Sequence, residues 1–435
     1  MNPKATLKQK AIQGSLWTLV GYGSSQVFRL MGNLALTRLL APEIFGLMTL
    51  VQTFLTGLQM FSDLGVFPSI VQSPRGDDLK FLNTAWTIQV IRGIGLWLGA
   101  CLLAVPVAEF YNEPMLVQLL PVTGLVSVIS GFASTKLVTA HRRLEIKELT
   151  ILDLITGLLS ILVTVVTAVG FRSVWALVVG NLISSLLRTI ASHGWLKGER
   201  NAFCWEQKTV EEIRQFGRWI FISTVIGFFA LQGDRLIFGK LLDVRFLGIY
   251  SIALGLSSLV EQVVDQINKK VMFPTYSELI RERPQDLYHS LRQSRAILLS
   301  LGSVCALLFV LYGDELIALL YDDRYLEAGW ILRVLAIAFL GRILSTTYED
   351  VLIARGMTFS TMMLTITGIC IQLVAVFVGY KLGGYQGVIV GMAATDALTY
   401  IAYAVCFARL SLWQPEVDIP VIAFGVGLAA IIYYP

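Results

Sequence analysis

Long apolar segments recur along this chain at regular intervals, and polar residues gather in the short stretches between them. Each apolar segment has roughly 17 to 25 residues, which is enough for a helix to cross a hydrocarbon core of about 30 Å. The pattern therefore predicts an all-α polytopic membrane protein of 12 to 13 transmembrane helices. The predicted segments are 12–36, 44–67, 82–106, 115–138, 150–170, 174–192, 217–239, 246–268, 296–312, 328–352, 360–380, 386–408 and 419–435.

The composition excludes an ordinary soluble protein. Hydrophobic residues make up 55% of the 435 residues and charged residues 15%, against about 25% charged residues in soluble domains. The net charge of +4 gives no sign of a nucleic-acid surface. Since no two cysteines form a CxxC pair and no histidine has a partner at metal-ligand spacing, the sequence predicts neither a metal nor a cofactor.

The basic residues between the segments predict the orientation. With a cytoplasmic N-terminus, the cytoplasmic stretches carry 22 of the 34 lysines and arginines, and the outer turns carry 6. This asymmetry follows the positive-inside rule. The cytoplasmic stretches are 1–11, 68–81, 136–149, 193–218, 269–295, 353–359 and 409–418.

The first half of the chain resembles the second. A shift of 202 residues places Trp17 on Trp219 and Gly46 on Gly248, and a shift of 211 places Gly180 on Gly391. Six helices in each half insert with the same orientation, which predicts a parallel repeat of the kind found in alternating-access transporters. The predicted domains are a cytoplasmic N-terminus (1–11), an N-terminal lobe (12–192), a cytoplasmic linker (193–216), a C-terminal lobe (217–408) and a last connection with a partial or complete thirteenth helix (409–435).

Six arginines lie inside the predicted helices, where each costs about 2.5–3.5 kcal/mol if it faces lipid at mid-depth. Arg188 and Arg333 lie near helix ends, so their side chains are expected to reach the interface. The sequence predicts that the other four line a central cationic cavity, together with Asn33, which follows Arg29 by one helical turn. For Arg235, a local ion pair with the preceding residue, Asp234, is the competing interpretation. The four arginines are Arg29, Arg92, Arg235 and Arg342.

Acidic residues form a smaller group. Glu261 and Asp265 fall one turn apart near the cytoplasmic end of the eighth predicted helix, and Asp63 is their counterpart in the second. Two interpretations of these acidic residues remain open. They form a salt-bridge gate on the cytoplasmic side, or they couple transport to protons or sodium ions. Asp396, alone in the twelfth predicted helix, is a further candidate for ion coupling.

The sequence does not predict an enzyme. It contains no HExxH, P-loop or GxGxxG motif. The longest predicted outer turn, 313–327, is short for a domain that must hold two glycan substrates. Transport would then depend on an ion gradient or on the supply and removal of substrate.

A run of residues at the first predicted connection is similar to a known family. Residues 36–47 read Leu-Thr-Arg-Leu-Leu-Ala-Pro-Glu-Ile-Phe-Gly-Leu, and Asp63-Leu64-Gly65, Asn83-Thr84-Ala85-Trp86 and Phe110-Tyr111-Asn112-Glu113-Pro114 add to the likeness. Together they resemble the Wzx-like polysaccharide transporters (oligosaccharide flippases) of the MOP superfamily, to which the MATE transporters also belong. The similarity extends over about residues 12–410.

The resemblance implies two six-helix lobes of a MATE-like fold in the bacterial cytoplasmic membrane. It also implies a cargo, a polyprenyl-pyrophosphate-linked oligosaccharide carried to the outer leaflet, with membrane lipids and other polysaccharide assembly proteins as partners. Family members often have a cationic cavity, and Arg29 is the nearest match to it here. An ion-coupled multidrug or cation antiporter of the same superfamily and a membrane-embedded glycan polymerase or ligase are the alternatives.

Overall fold

Helices account for all the regular secondary structure in residues 7–433, the range that the computed structural model describes without the side chains of 7–16, 19, 215–223 and 269–270. The chain divides into two compact units, Met1–Phe228 and Phe229–Pro435. Within the described range, nine helices are long and apolar enough to span a membrane, or ten when one bent pair is taken as a single span. The protein is therefore a multi-pass membrane protein.

The N-terminal unit contains eight helices and the beginning of a ninth, and α4 and α5 form its most extensive pair. The helices are α1 (Leu7–Leu39), α2 (Pro42–Phe61), α3 (Val66–Gln72), α4 (Leu79–Tyr111), α5 (Leu116–Gly131), α6 (Lys136–Arg142), α7 (Ile146–Phe171), α8 (Val174–Gly194) and α9 (Gln207–Leu241).

The C-terminal unit is built around α13, the most deeply buried of the candidate spans in the described part of the chain. Its helices are the rest of α9, α10 (Val244–Ile267), α11 (Phe273–Glu282), α12 (Leu287–Leu320), α13 (Glu327–Ala354), α14 (Thr358–Arg409) and α15 (Pro415–Tyr433). Non-helical backbone at Gly383 and Gly384 divides α14 into two helices, as the sequence predicts.

Each of the thirteen predicted segments overlaps a helix, but two predicted boundaries are wrong. The second segment ends at Phe61 instead of residue 67, because the Asp63 carboxylate accepts a hydrogen bond from the Gly65 amide at 2.9 Å and Gly65 adopts a left-handed conformation. The fourth segment, 115–138, is two helices, α5 and α6, bent by 59°. Asp63 consequently lies in a turn and not in a helix.

The internal repeat appears in the helix boundaries of the two units. The first helix of the repeat ends at Leu39 in α1 and at Leu241 in α9, and the next begins at Pro42 in α2 and at Val244 in α10. Both pairs differ by the 202 residues found in the sequence. The repeated sequence therefore encodes the same turn twice.

The second alignment of the repeat corresponds to a shared packing contact. A Cβ atom added at Gly180 of α8 would overlap Thr164 of α7, and one added at Gly391 would overlap Ala375 in the first half of α14. Residues 164 and 375 are themselves 211 positions apart. Glycine is required at both places because two helices approach each other there too closely for any side chain.

A buried ion pair attaches α15 to the C-terminal unit. The Arg295 guanidinium of α12 lies 2.5 Å from the Asp418 carboxylate, and neither side chain is exposed at all. Tyr348 and Tyr400 each donate a hydrogen bond to the same carboxylate at 2.7 Å. The sequence analysis placed Arg295 and Asp418 in the stretches between predicted helices, whereas both lie inside helices, in α12 and α15, and form the polar centre of a helix junction.

Removal of this ion pair is predicted to destabilise the protein strongly. Asp418→Ala leaves the Arg295 charge buried without its partner, which costs about 3–5 kcal/mol, so thermal unfolding in detergent should occur at a much lower temperature. Glu416→Ala is the matched control, since it breaks the exposed Arg292–Glu416 pair (2.8 Å) between the same two helices at a cost of at most about 1 kcal/mol. Equal melting of the two variants would contradict this account.

Candidate functional site

A charged group in the C-terminal unit brings together four of the predicted site residues, which come from three helices. Arg342 of α13 lies with its Nε atom 3.9 Å from the Glu261 carboxylate of α10, and Asp396 of α14 also interacts electrostatically with the guanidinium. Asp265 and Glu349 add two further carboxylates around Arg342. The group therefore carries an excess of negative charge.

A glycine makes this arrangement possible. Gly341 precedes Arg342 in α13, and a Cβ atom placed on it would lie 2.9 Å from the Ala397 amide nitrogen and from the Asp396 carbonyl carbon. The backbone of α13 thus packs directly on the second half of α14. This close approach sets the distance between Arg342 and Asp396.

Glu349 is a member of the group that the sequence analysis did not select. It lies seven residues, two helical turns, after Arg342 and therefore on the same face of α13. The helical spacing of the two opposite charges is the signal that would have identified it. Glu349 interacts electrostatically with Arg342.

In the N-terminal unit, the side chain of Arg92, a residue of α4, contacts the C-terminal end of α2. Its Nε atom donates to the Ser62 hydroxyl at 3.0 Å, and its Nη2 atom donates to the Gln59 carbonyl at 2.6 Å. A cation is favoured there because the last carbonyls of a helix lack partners within the helix. Asp63 lies in the adjoining turn and interacts electrostatically with Arg92, so the structure brings these two predicted residues together.

Arg29 and Asn33 lie on one face of α1. The Arg29 guanidinium donates to the Gln26 side chain, and Gln26 donates to the Tyr22 hydroxyl at 2.9 Å. Asn33 is half-buried one turn further along. The polar side chains therefore form a stripe along α1 that includes Arg29 and Asn33.

Arg235 is placed differently from its neighbour Asp234. Asp234 is almost fully buried and accepts a hydrogen bond from the Tyr250 hydroxyl at 2.7 Å. Arg235 donates to the Gln232 side chain, one turn earlier in α9. The Asp234 carboxylate, which the sequence analysis considered as an ion-pair partner of Arg235, is thus hydrogen-bonded to Tyr250 of α10.

The two arginines that were expected to reach the interface have carboxylate partners. Arg188 of α8 pairs with Asp153 of α7 at 3.0 Å, and Arg333 of α13 pairs with Asp314 of α12 at 2.8 Å. Both pairs are partly exposed. They join neighbouring helices near their ends and are separate from the groups around Arg92 and Arg342.

The fold is that of a known class of membrane transporters. The chain is similar to a solved structure of the lipid II flippase MurJ, with a TM-score of 0.70 at 11% identity over 97% of this chain and 92% of that one. An inward-facing MATE multidrug transporter of the MOP superfamily matches with a TM-score of 0.65 at 12% identity, over 94% and 96% of the two chains. The protein therefore has the MOP transporter fold, as the sequence resemblance implies.

The family follows from the sequence match. The family described as "Polysaccharide biosynthesis protein" matches residues 35–329, and the protein belongs to it. The lipopolysaccharide biosynthesis protein WzxC of Escherichia coli K12 is 21% identical over 442 aligned residues, which cover 97% of this chain and 89% of that protein. The resemblance to Wzx-like transporters is confirmed.

Substitution of Gly341 is predicted to disturb the group around Arg342. Gly341→Ala inserts a methyl group against the backbone of α14, and such overpacking costs about 1–3 kcal/mol. Gly255→Ala in α10 is the matched control, because nothing lies within 4 Å of its Cβ position; alanine is there expected to stabilise the helix by up to about 1 kcal/mol. Thermal unfolding in detergent measures both changes, and a Gly341→Ala protein as stable as wild type would refute the close contact.

Proposed function

We propose that the protein transports a polyprenyl-pyrophosphate-linked oligosaccharide from the inner to the outer leaflet of the bacterial cytoplasmic membrane by alternating access. Membership of a polysaccharide biosynthesis family carries this proposal, and the fold shared with a lipid II flippase supports it. The headgroup of such a lipid cannot cross hydrocarbon unaided, because its polar groups would lose their hydrogen bonds to water. The N-terminus is cytoplasmic in this proposal.

The arginines of the N-terminal unit are the proposed phosphate-binding groups. Arg92 of α4 donates to the neutral oxygens of Ser62 and Gln59, and Arg29 of α1 donates to the neutral side chain of Gln26. Arginine binds phosphate through paired, charge-assisted hydrogen bonds and stays charged at every physiological pH. Asn33 adds a neutral donor on the Arg29 face, and Arg235 is the further candidate from the C-terminal unit.

The acidic group around Arg342 has a different proposed role. Glu261, Asp265 and Asp396, with Glu349, outnumber the single arginine, which suits the binding of a proton or sodium ion better than the binding of pyrophosphate. Ion coupling at this group would supply the driving force, since no nucleotide motif occurs in the chain. Asp63 interacts electrostatically with Arg92, and its proposed role is that of a salt-bridge residue in a cytoplasmic gate.

Loss of the cationic groups should abolish export. In a strain that lacks the gene, wild-type protein should prevent the accumulation of prenyl-linked oligosaccharide in the cytoplasmic leaflet, whereas Arg29→Ala and Arg342→Ala should not. Arg188→Ala is the control, because it removes a partly exposed arginine of the Arg188–Asp153 pair. The amount of each protein in the membrane must be equal.

The results separate the proposal from its competitors. Full complementation by both variants would show that transport requires neither Arg29 as a cargo-binding group nor Arg342 as a member of the coupling group. If deletion of the gene causes no accumulation of the lipid but changes drug sensitivity, the protein is an antiporter. This is the second candidate function, and the acidic group around Arg342 favours it because carboxylates bind cations. Glycosyl transfer by the purified protein would instead establish a polymerase or ligase.

Neutralisation of the acidic group should remove the coupling. Asp396→Asn and Glu261→Gln are expected to slow export by at least about tenfold, a change of about 1.4 kcal/mol in the barrier, and to make the residual export insensitive to a protonophore or to sodium removal. Asp323→Asn, in a turn that follows α12, is the control. Unchanged export in both variants would exclude this group from coupling.

A further inference from the structure

The segment that connects α8 to α9 is bound along the N-terminal unit, although it contains no regular structure from residue 195 to residue 206. Three of its backbone amides donate hydrogen bonds to side chains of α4. The Ala202 amide donates to Asn83, the Cys204 amide to Thr87 and the Glu206 amide to Thr84, each at 3.1 Å. We name residues 195–206 the strap.

The three acceptors on α4 are themselves buried. Thr84 is 0% exposed, and Asn83 and Thr87 are each 8% exposed. A buried polar side chain that loses its partner costs about 1–3 kcal/mol. The strap therefore cannot leave α4 without exposing or stranding three polar groups at once.

A second contact fixes the middle of the strap. The Asn201 side chain accepts hydrogen bonds from the Ser134 hydroxyl (2.7 Å) and the Thr135 amide (3.2 Å), and it donates to the Thr135 hydroxyl at 2.7 Å. These residues form the bend between α5 and α6. At the start of the strap, the buried Lys136 ammonium donates to the His193 carbonyl at 2.9 Å.

A third contact fixes the end of the strap and the first turn of α9. Arg75, in the connection between α3 and α4, pairs with Glu206 at 2.6 Å, with Asp78 at 3.0 Å and with Glu212 at 3.4 Å. Hydrogen bonds from Thr209 and Arg75 hold the pKa of the Glu206 carboxyl below its usual range, so this network remains ionised at neutral pH.

Further along α9, the helix is still part of the N-terminal unit. Phe228 packs edge-on against Phe61 of α2, with ring centroids 4.9 Å apart, and also covers Gly57. The boundary between the two units falls at this residue, inside α9. The connection between the units is thus a helix, and the irregular strap lies wholly within one unit.

We propose that the strap stays bound to α4 throughout the transport cycle and positions the first part of α9, so that the linker does not act as the joint of alternating access. Asn83, Thr84, Thr87 and Arg75 are its positioning residues. The part of the proposal that concerns the transport cycle rests on the proposed function. The attachment of the strap itself is a property that can be measured without any cargo.

The chain supplies one half of a cross-link that tests this directly. In a protein whose other four cysteines are replaced by serine, Thr87→Cys places a second thiol beside the natural Cys204, whose amide bonds the Thr87 hydroxyl. Oxidation or a short bifunctional methanethiosulfonate reagent should join the two in native membranes. Ile91→Cys is the control, since it lies one turn further along α4 with an exposed side chain and should not react with Cys204.

Transport by the cross-linked protein decides between a fixed and a moving strap. Export at the rate of the reduced protein is the expected result. A loss of about tenfold or more that reduction reverses would show that the strap must leave α4 during transport, and would overturn the proposal. Failure of the Thr87→Cys protein to cross-link would overturn it as well.

A second measurement keeps the result independent of the cargo. Cys204 in the otherwise wild-type strap should react slowly with a membrane-impermeant maleimide, and Asn83→Ala with Thr87→Ala should accelerate the labelling severalfold. If wild-type protein moves no oligosaccharide but shows this difference, the proposed function fails while the bound strap stands. Equal labelling of the two proteins would refute the bound strap.

Discussion

The pairing of charged side chains inside a largely apolar helical protein is the constraint on which the rest of this structure depends. A charge that faces hydrocarbon without a partner costs several kcal/mol, so every helical arginine has to find a counter-charge, a carbonyl or water. Arg295 is wholly buried and pairs with the Asp418 carboxylate, which also accepts hydrogen bonds from two tyrosines. Arg92 meets the end of α2. These partners determine which helices pack together and at what depth, because each pair joins residues far apart in the chain.

The two units satisfy this constraint in different ways, and the difference bears on function. In the N-terminal unit, Arg92 donates to the neutral oxygens of Ser62 and Gln59, and in the described part of the chain it interacts electrostatically with one carboxylate, that of Asp63. In the C-terminal unit, Arg342 interacts electrostatically with four carboxylates, those of Asp396, Glu261, Asp265 and Glu349. The two halves of the repeat thus differ in the number of carboxylates that interact with their helical arginines. That asymmetry supports the proposed division between the binding of an anionic headgroup and the binding of a driving ion.

The apolar periodicity predicted the helices well, because the bilayer requires long, continuous helices and excludes most alternatives. The repeat was also visible, down to the 202-residue spacing of the turn that begins α2 and α10. The pattern failed where local side-chain chemistry decides the backbone: the Asp63 carboxylate ends α2 early by bonding the Gly65 amide. It failed again for Arg295 and Asp418, since a pair separated by 123 positions resembles two loop charges until the packing of α12, α15 and α13 is known.

One short motif in α4 both contributes to the family resemblance and contacts the strap. Asn83-Thr84-Ala85-Trp86 contributed to the family resemblance, and in the structure Asn83 and Thr84 accept hydrogen bonds from backbone amides of the strap, while Trp86 packs on Phe203 at 4.8 Å between ring centroids. Polar residues at the end of a membrane helix are usually explained by contact with water. Here they replace water as the acceptors for backbone amides of a chain segment without regular structure. A segment held in this way fixes the start of α9 to the N-terminal unit, as the proposed role of the strap requires.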